Sequence, residues 1–259
     1  MHSPIRVGLI VPSSNVTMET EIPAMLRARE SVAPERFTFH SARMRMQQVT
    51  AEELKKMDAD AERATAELAD ARVDVMGYAC LVAIMSQGHG YHRASEERLV
   101  AVAARESGSD LPVVSSAGAL VEALGHLGAR KVAVLTPYMK PLTATVCGYI
   151  EHEGIEVVDS LSREEPDNLK VGELDQDELI RLAGEVDTSE ADALVISACV
   201  QMPSLRALAE VQRYSPIPVV SAASATVWKI LRELGLEPVV PDAGALLGQP
   251  VAAPQEAIG

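Results

Sequence analysis

Two of the three cysteines in this 259-residue chain end apolar runs and are followed by polar or turn-forming residues. Cys80 ends the run "VMGYAC", and Cys199 ends the run "ALVISAC". A single cysteine at the end of a strand is usually a small buried core residue. Two cysteines in matching positions favour chemistry, because a thiolate is both a strong nucleophile and a good leaving group. The pair therefore predicts catalysis by two thiols.

Three polar side chains elsewhere in the chain could bind a substrate. Asn15 lies in "VPSSN", Tyr138 lies in "TPYMK", and Asn168 lies in the loop "EEPDNLKVG". The amide and hydroxyl groups of these residues could donate hydrogen bonds to a carboxylate. A structural interpretation stays open, because Asn15 also suits the start of a helix and a loop asparagine before a helix is usually structural.

The remaining candidates for metal or cofactor chemistry are weak. His89 and His92 are three residues apart, but no carboxylate or third histidine joins them, so we predict no metal site. Cys147 lies in a helical stretch and is expected to pack as a small apolar side chain. No G-x-G-x-x-G motif or P-loop follows a strand, so no nucleotide cofactor is expected. We expect a protein without a cofactor.

Composition indicates a globular protein, with 47% apolar and 23% charged residues. The formal net charge of −14 argues against a nucleic-acid partner. An anionic substrate would need hydrogen-bond donors next to it, such as backbone N–H groups at helix N-termini, because the protein as a whole is negative. No apolar run approaches the roughly 20 residues of a membrane helix, and the first residues do not resemble a signal peptide. We therefore expect no membrane partner and a cytoplasmic location.

The elements that must position these residues alternate between strands and helices. Short β-branched runs predict strands over 6–12, 73–80 and 111–117, and the Ala/Leu/Glu-rich stretches 52–72 and 95–108 predict helices. Such alternation is typical of parallel sheets flanked by helices. Because ligands bind beyond the carboxyl ends of parallel strands, the cysteines are expected to lie at the site.

The same pattern occurs twice along the chain. Three matches follow one another in the same order: Pro12 with Pro137, Cys80 with Cys199, and Pro112 with Pro218. This internal duplication predicts an α/β fold of two similar lobes, each a parallel sheet flanked by helices, with the active site in the cleft between them. We expect the first lobe to comprise 1–114 plus 219–259 and the second to comprise 115–218, with approximate boundaries because the chain crosses between the lobes.

Several segments together resemble the maleate cis-trans isomerase family, which belongs to the aspartate/glutamate racemase superfamily. They are "GLIVPSSNVTMETEIPAM", "ACLVAIMSQG", "TPYMKPLT", "PDNLKVG" and "SACVQMPSL", and the resemblance spans roughly residues 5 to 235. Arylmalonate decarboxylases are similar in outline but keep only the second cysteine, so Cys80 counts against that interpretation. The sequence departs from the family at His89, where a proline is expected.

The resemblance implies isomerisation of maleate to fumarate without a cofactor. Cys80 would add to an alkene carbon to form a succinyl-cysteine intermediate, and Cys199 would act as proton donor and acceptor. The substrate-binding groups would be Asn15, Tyr138 and Asn168, with backbone N–H groups near Leu81, Val82, Val200 and Gln201. These neutral donors are expected to keep the pKa of Cys80 low. The family also implies a small dicarboxylate substrate and a homodimer.

Two other functions stay open from the sequence. An amino-acid racemase could use the two cysteines as opposed acid and base, and its α-ammonium substrate would favour an acidic residue in the cleft. A non-catalytic sensor could instead clamp a small dicarboxylate between the lobes, although binding alone does not need two matched cysteines.

Overall fold

The computed structural model describes residues 3–248, in which strands and helices alternate. The strands are β1 (Ile5–Pro12), β2 (Phe37–Met44), β3 (Val75–Tyr78), β4 (Val113–Ser115), β5 (Lys131–Thr136), β6 (Glu156–Ser162), β7 (Ala193–Ser197) and β8 (Val219–Ser221). The helices are α1 (Met18–Arg29), α2 (Ala51–Asp70), α3 (Leu81–Met85), α4 (Tyr91–Ser107), α5 (Ser116–His126), α6 (Lys140–His152), α7 (Asn168–Val171), α8 (Gln176–Ala183), α9 (Leu205–Tyr214) and α10 (Ala222–Glu233), followed by a 3₁₀ turn at Ala245–Leu247. None of these helices has the length and apolar character that crossing a bilayer requires.

The strands form two parallel sheets with the same topology. The first sheet has the order β2-β1-β3-β4 and the second has the order β6-β5-β7-β8. All paired strands are parallel. The central strands read as continuous apolar runs because helices cover both faces of such sheets, and β7 is buried along its whole length. The predicted fold of two similar α/β lobes is confirmed.

The duplication extends to individual hydrogen bonds. Asp74 Oδ2 accepts from the Arg6 N–H at 2.7 Å at the start of the first sheet. Asp192 Oδ2 accepts from the Lys131 N–H at 2.9 Å at the same place in the second sheet. Asp74 thus joins the loop before β3 to the beginning of β1, and Asp192 joins the loop before β7 to the beginning of β5. The two lobes therefore align their central strands in the same way.

Strand ends differ from the sequence prediction by a few residues. β3 ends at Tyr78 and not at residue 80, so Cys80 lies two residues beyond its strand, as Cys199 does beyond β7. The strand predicted over 111–117 ends at Ser115, because the Ser115 hydroxyl accepts from the Gly118 N–H and starts α5. Such an N-cap ends the extended conformation.

Helix α10 packs on the first sheet although it follows the second sheet in sequence. A Cβ added to Gly77 of β3 would lie 3.3 Å from Ile230 Cδ1 and 3.7 Å from Thr226 Cγ2, both on α10. This packing supports a first lobe that includes α10, whereas β8 just before it pairs with β7 in the second sheet. The lobe boundaries, 1–114 plus 219–259 and 115–218, stay a prediction, and residues 249–259 lie outside the described part of the chain.

Candidate active site

The two cysteines line one small cavity where the carboxyl ends of the two sheets meet. Its water-accessible volume is about 20 Å³, which is room for one water molecule. The lining residues share a neutral character; they are Pro12, Asn15, Met46, Val49, Cys80, Leu81, Val82, Tyr138, Asn168, Cys199, Val200 and Gln201. None of them carries a carboxylate, ammonium or guanidinium group. The cavity therefore offers hydrogen-bond donors and thiols without a fixed charge.

Every residue that the sequence singled out for the site lines this cavity. The first lobe contributes Asn15, Cys80, Leu81 and Val82, and the second contributes Tyr138, Asn168, Cys199, Val200 and Gln201. They come together because each group follows a strand of one of two parallel sheets whose carboxyl ends face each other. The roles proposed for the individual residues stay predictions.

Cys80 has an unusual backbone conformation. It precedes α3 with φ +135° and ψ +76°, a region that residues with a Cβ rarely adopt. Burial raises the pKa of the Cys80 thiol to about 12, the Ala83 N–H opposes this rise, and Cys199 and the Asp58 carboxylate add to it. The expectation of a low pKa at Cys80 is wrong, because the neutral cavity supplies no cation that would offset the desolvation of a thiolate.

Cys199 is buried and has more hydrogen-bond donors around it than Cys80. Burial raises the pKa of its thiol, while the Tyr138 hydroxyl and the N–H groups of Gln201 and Met202 lower it. The pKa of Tyr138 lies well above its usual value because of burial and the two nearby thiols, so its hydroxyl stays protonated and can donate. The two thiols thus have similar positions in the fold but different surroundings.

Asn15 both starts α1 and faces the cavity. Its Oδ1 accepts from the N–H groups of Thr17 and Met18, each at 2.9 Å. The side-chain oxygen of Asn15 therefore has the structural role at the start of a helix that the sequence left open. Because the oxygen is bonded within the turn, the Nδ2 group is the part of the side chain that can donate to a ligand.

The Gln201 side chain joins three segments around the cavity. Its Oε1 accepts from the Val16 N–H at 2.9 Å, and its Nε2 donates to the carbonyls of Ser14 at 3.1 Å and Asn168 at 2.9 Å. The Asn168 amide in turn donates to the Ser14 hydroxyl at 2.8 Å. These bonds use both side-chain donors and the acceptor of Gln201, so its side chain positions other residues and only its backbone can face a ligand.

Sequence reasoning missed two apolar residues of the cavity wall. Met46 and Val49 lie in the segment after β2, which pairs with β1 along its whole length. The strand β2 was not predicted, so nothing placed the following residues at the site. Recognising "FTFHSARM" as a strand beside β1 would have placed both residues at the same sheet edge as Asn15.

The histidines after Cys80 make contacts between the lobes. The His89 ring stacks on the His152 ring with centroids 4.4 Å apart, and His92 Nδ1 lies 2.6 Å from the Tyr149 hydroxyl. Within residues 3–248, no group of three or more histidine, cysteine or acidic side chains is arranged to hold a metal ion.

Comparison with known proteins identifies the class and then the family. Residues 7–247 match the model of a family described as arylmalonate decarboxylase, and the chain belongs to this class. A maleate isomerase of Geobacillus stearothermophilus is 58% identical over 248 residues, which cover 95% of this chain and 98% of the relative. With this identity over nearly the whole chain, the protein belongs to the maleate isomerase family, and the resemblance seen in the sequence is confirmed.

Solved structures agree with this assignment. The crystal structure of the maleate isomerase Iso from Pseudomonas putida S16 matches with a TM-score of 0.93 at 58% identity, covering 95% of this chain and 99% of that one. The Nocardia farcinica maleate cis-trans isomerase matches with a TM-score of 0.90 at 47% identity, covering 96% and 100%. The latter structure is a cysteine-to-serine variant with a covalently bound succinylcysteine intermediate.

Proposed function

We propose that this protein isomerises maleate to fumarate without a cofactor, through a succinyl-cysteine formed on Cys80. The observation that carries the proposal is the meeting of two thiols, one from each lobe, in a neutral cavity lined by hydrogen-bond donors. The succinylcysteine intermediate of the Nocardia farcinica relative supports the covalent step.

Neutral donors bind the two carboxylates of maleate in this proposal. Asn15 Nδ2, the Tyr138 hydroxyl and Asn168 Nδ2 donate from side chains, and the residues that follow each cysteine donate backbone N–H groups; these are Leu81, Val82, Val200 and Gln201. A dianion in a cavity without cations depends on such oriented donors, which act strongly where water is excluded. The cavity has to widen before maleate enters, because its volume admits only one water molecule.

The reaction begins with carbon–sulfur bond formation. Cys80 Sγ bonds to one alkene carbon, and the π electron pair moves onto the other carbon and its carboxylate. Before this step the Cys80 thiol gives its proton to solvent water, because the neutral thiol is a poor nucleophile, and the Cys80 thiolate that is released at the end takes a proton back from solvent. The Cys199 thiol then gives its proton to the carbanionic carbon, which completes the succinyl-cysteine.

Rotation and elimination complete the reaction. The former double bond is now single, so the two carboxylates rotate from the cis to the trans arrangement. The Cys199 thiolate takes a proton back from the carbon, the double bond forms again, and Cys80 leaves as a thiolate. No electrons are gained or lost overall, so the chemistry needs no redox cofactor.

Isomerase activity and mass spectrometry test the proposal. Purified protein incubated with maleate alone is expected to form fumarate, and both Cys80→Ser and Cys199→Ser are expected to lose nearly all activity. Cys199→Ser should accumulate one maleate-derived mass on Cys80, whereas Cys80→Ser should carry none. Full activity in Cys80→Ser would exclude the covalent mechanism.

The cavity does not favour an amino-acid racemase. An α-ammonium group would need a carboxylate partner, and the described residues that line the cavity include none. Incubation with L-aspartate in deuterated water should therefore leave its Cα proton unexchanged. Turnover of maleate would separate the proposed enzyme from a dicarboxylate sensor, which would bind maleate without converting it.

We also propose that the protein acts as a cytoplasmic homodimer. Its three cysteines are free, which suits a reducing compartment and keeps both proposed catalytic thiols available. Large apolar side chains such as Val32 and Tyr214 are exposed, and they could be covered by a second copy. Light scattering coupled to size-exclusion chromatography should give twice the monomer mass.

A further inference from the structure

A buried carboxylate lies outside the cavity but close to its first cysteine. Asp58 on α2 is only 4% exposed and accepts three side-chain hydrogen bonds. The donors are the Tyr78 hydroxyl at 3.2 Å, the Tyr91 hydroxyl at 2.6 Å and Arg98 Nη2 at 2.8 Å. We call these four residues the Asp58 cluster.

The cluster joins the three elements that surround the Cys80 segment. Tyr78 is the last residue of β3, is fully buried, and precedes Cys80 by two residues. Tyr91 and Arg98 lie on α4, which begins shortly after α3. Asp58 therefore ties both ends of the segment that carries Cys80 to α2. A strained backbone such as that of Cys80 persists only where its surroundings hold it in place.

The cluster also places negative charge near the thiol. Asp58 adds to the rise in the pKa of Cys80 that burial causes, and Cys199 acts in the same direction. The other groups near Cys80 are the Ala83 N–H and the hydroxyls of Tyr78 and Tyr138. Burial and Asp58 raise the pKa of Tyr78 and Tyr91, so both hydroxyls stay protonated as donors.

Arg98 neutralises part of the Asp58 charge but is shared with a second carboxylate. Its side chain is 32% exposed, and its Nε lies 3.7 Å from Glu62 Oε1 on the same helix as Asp58. Glu62 is 48% exposed, so water screens its charge far more than that of Asp58. The two carboxylates thus share one cation but differ in burial and in their effect on Cys80.

We propose that Asp58 is a positioning residue for the first thiol: through Tyr78 it fixes the strand end that carries Cys80, and its buried negative charge opposes a second negative charge on that thiol. This inference rests on the proposed role of Cys80 as the nucleophile. A resting thiol is protected from oxidation and alkylation, since both reactions need the thiolate.

The rate of Cys80 alkylation by iodoacetamide, measured against pH without maleate, tests the proposal directly. Peptide mapping locates the adduct, so the full-length protein can be used. Asp58→Asn is expected to move the alkylation profile to lower pH by about one unit, because it removes a buried negative charge. Below the midpoint this shift means about tenfold faster alkylation at a given pH.

Glu62→Gln is the matched control, because it removes the exposed carboxylate that shares Arg98. Its profile should coincide with that of the wild type. Tyr78→Phe should shift the alkylation profile in the opposite direction, to higher pH. The variant loses the hydroxyl that donates to Asp58, so the Asp58 charge is less well stabilised and acts more strongly on Cys80. This variant also decides the question if Asp58→Asn does not fold.

Unchanged alkylation profiles in both Asp58→Asn and Tyr78→Phe would overturn the inference and leave the cluster a structural role only. This outcome differs from a failure of the proposed function. A protein that shows the shifts but does not convert maleate disproves the proposed function alone. A protein that converts maleate without showing the shifts disproves the role of Asp58 alone.

Discussion

The two cysteines occupy equivalent positions, yet their surroundings differ residue by residue. Cys80 is half-buried, has a strained backbone and lies near a buried carboxylate. Cys199 is buried and receives the Tyr138 hydroxyl and two backbone N–H groups. A thiol with more donors forms its thiolate more easily. The donors around Cys199 suit the proton transfer proposed for it, because they stabilise the thiolate that remains when its proton is given to the substrate.

The backbone strain at Cys80 can be measured by comparing two substitutions. Cys80→Gly and Cys80→Ala both remove the thiol, but only glycine adopts a φ of +135° without a steric penalty. We expect Cys80→Gly to be more stable than Cys80→Ala by about 1 kcal/mol, after the greater flexibility of glycine in the unfolded chain is included. Urea unfolding gives both values, and equal stability or a more stable alanine variant would show that the site is unstrained.

The Tyr138 hydroxyl should contribute to catalysis through its donation to Cys199 and to the substrate. Tyr138→Phe is expected to lower kcat roughly 100- to 1,000-fold, the range for loss of a donor that stabilises developing charge. Tyr149→Phe is the control, because the Tyr149 hydroxyl is bonded to His92 and lies outside the cavity lining. Steady-state assays of fumarate formation should show a large loss only for Tyr138→Phe, and equal losses would refute the assignment.

At the scale of elements, the short helix α7 is held against the loop that carries Asn15. Gly172 caps α7, and a Cβ added there would lie 2.6 Å from Val16 Cγ2 and 2.8 Å from Gln201 Nε2. The Gln201 amide cannot move aside without losing bonds to Ser14 and Asn168. The close contact of α7 with this loop therefore depends on glycine.

Gly172→Ala should disturb the substrate site without unfolding the protein. We expect kcat/KM for maleate to fall roughly tenfold to a hundredfold, because displacement of catalytic groups by about 1 Å has such effects. Gly148→Ala is the matched control, since its Cβ meets open space within α6 and should stabilise the helix by about 0.5–1 kcal/mol. Unchanged kinetics in Gly172→Ala would show that the Gln201 contacts do not position the site.

The sequence predicts the strands that occur in both halves of the chain. It does not predict residues whose roles depend on contacts with distant parts of the chain. The strands before Cys80 and Cys199 were predictable because apolar runs and matched prolines mark them twice. The Gln201 side chain was not, because its partners Ser14 and Val16 lie more than 180 residues away along the chain. Asp58 reads as one charge on an amphipathic helix, and only the packing of α2 on α4 and the hydrogen bond from Tyr78 show that it is buried.

At the scale of the molecule, the two lobes are joined by polar contacts next to the site. Besides Gln201, Glu21 of α1 caps α9 in the other half of the chain. Its Oε1 accepts from the N–H groups of Ser204 and Leu205, each at 2.6 Å, and its Oε2 accepts from the Ser204 hydroxyl at 3.1 Å. A carboxylate at a helix N-terminus satisfies donors that the helix itself leaves free.

The stabilisation that Glu21 gives to this contact should decrease as pH rises, because burial raises the pKa of its carboxyl group. Desolvation raises the pKa of Glu21 above its ordinary value of 4.5 although three hydrogen bonds lower it. The folded protein therefore binds this proton more tightly than the unfolded chain does. The resulting stabilisation is complete below the ordinary pKa and is lost as pH rises through the raised value.

Glu21→Gln removes this titration while keeping an oxygen that can accept from Ser204 and Leu205. The free energy of unfolding of the variant should improve relative to that of the wild type as pH rises from about 4 to about 7. Urea unfolding at several pH values measures the difference, and the exposed Glu173→Gln serves as a control whose difference should stay constant. If the free energy of unfolding of the wild type instead improved relative to that of the variant as pH rises, the hydrogen bonds to Glu21 would outweigh its desolvation and lower its pKa.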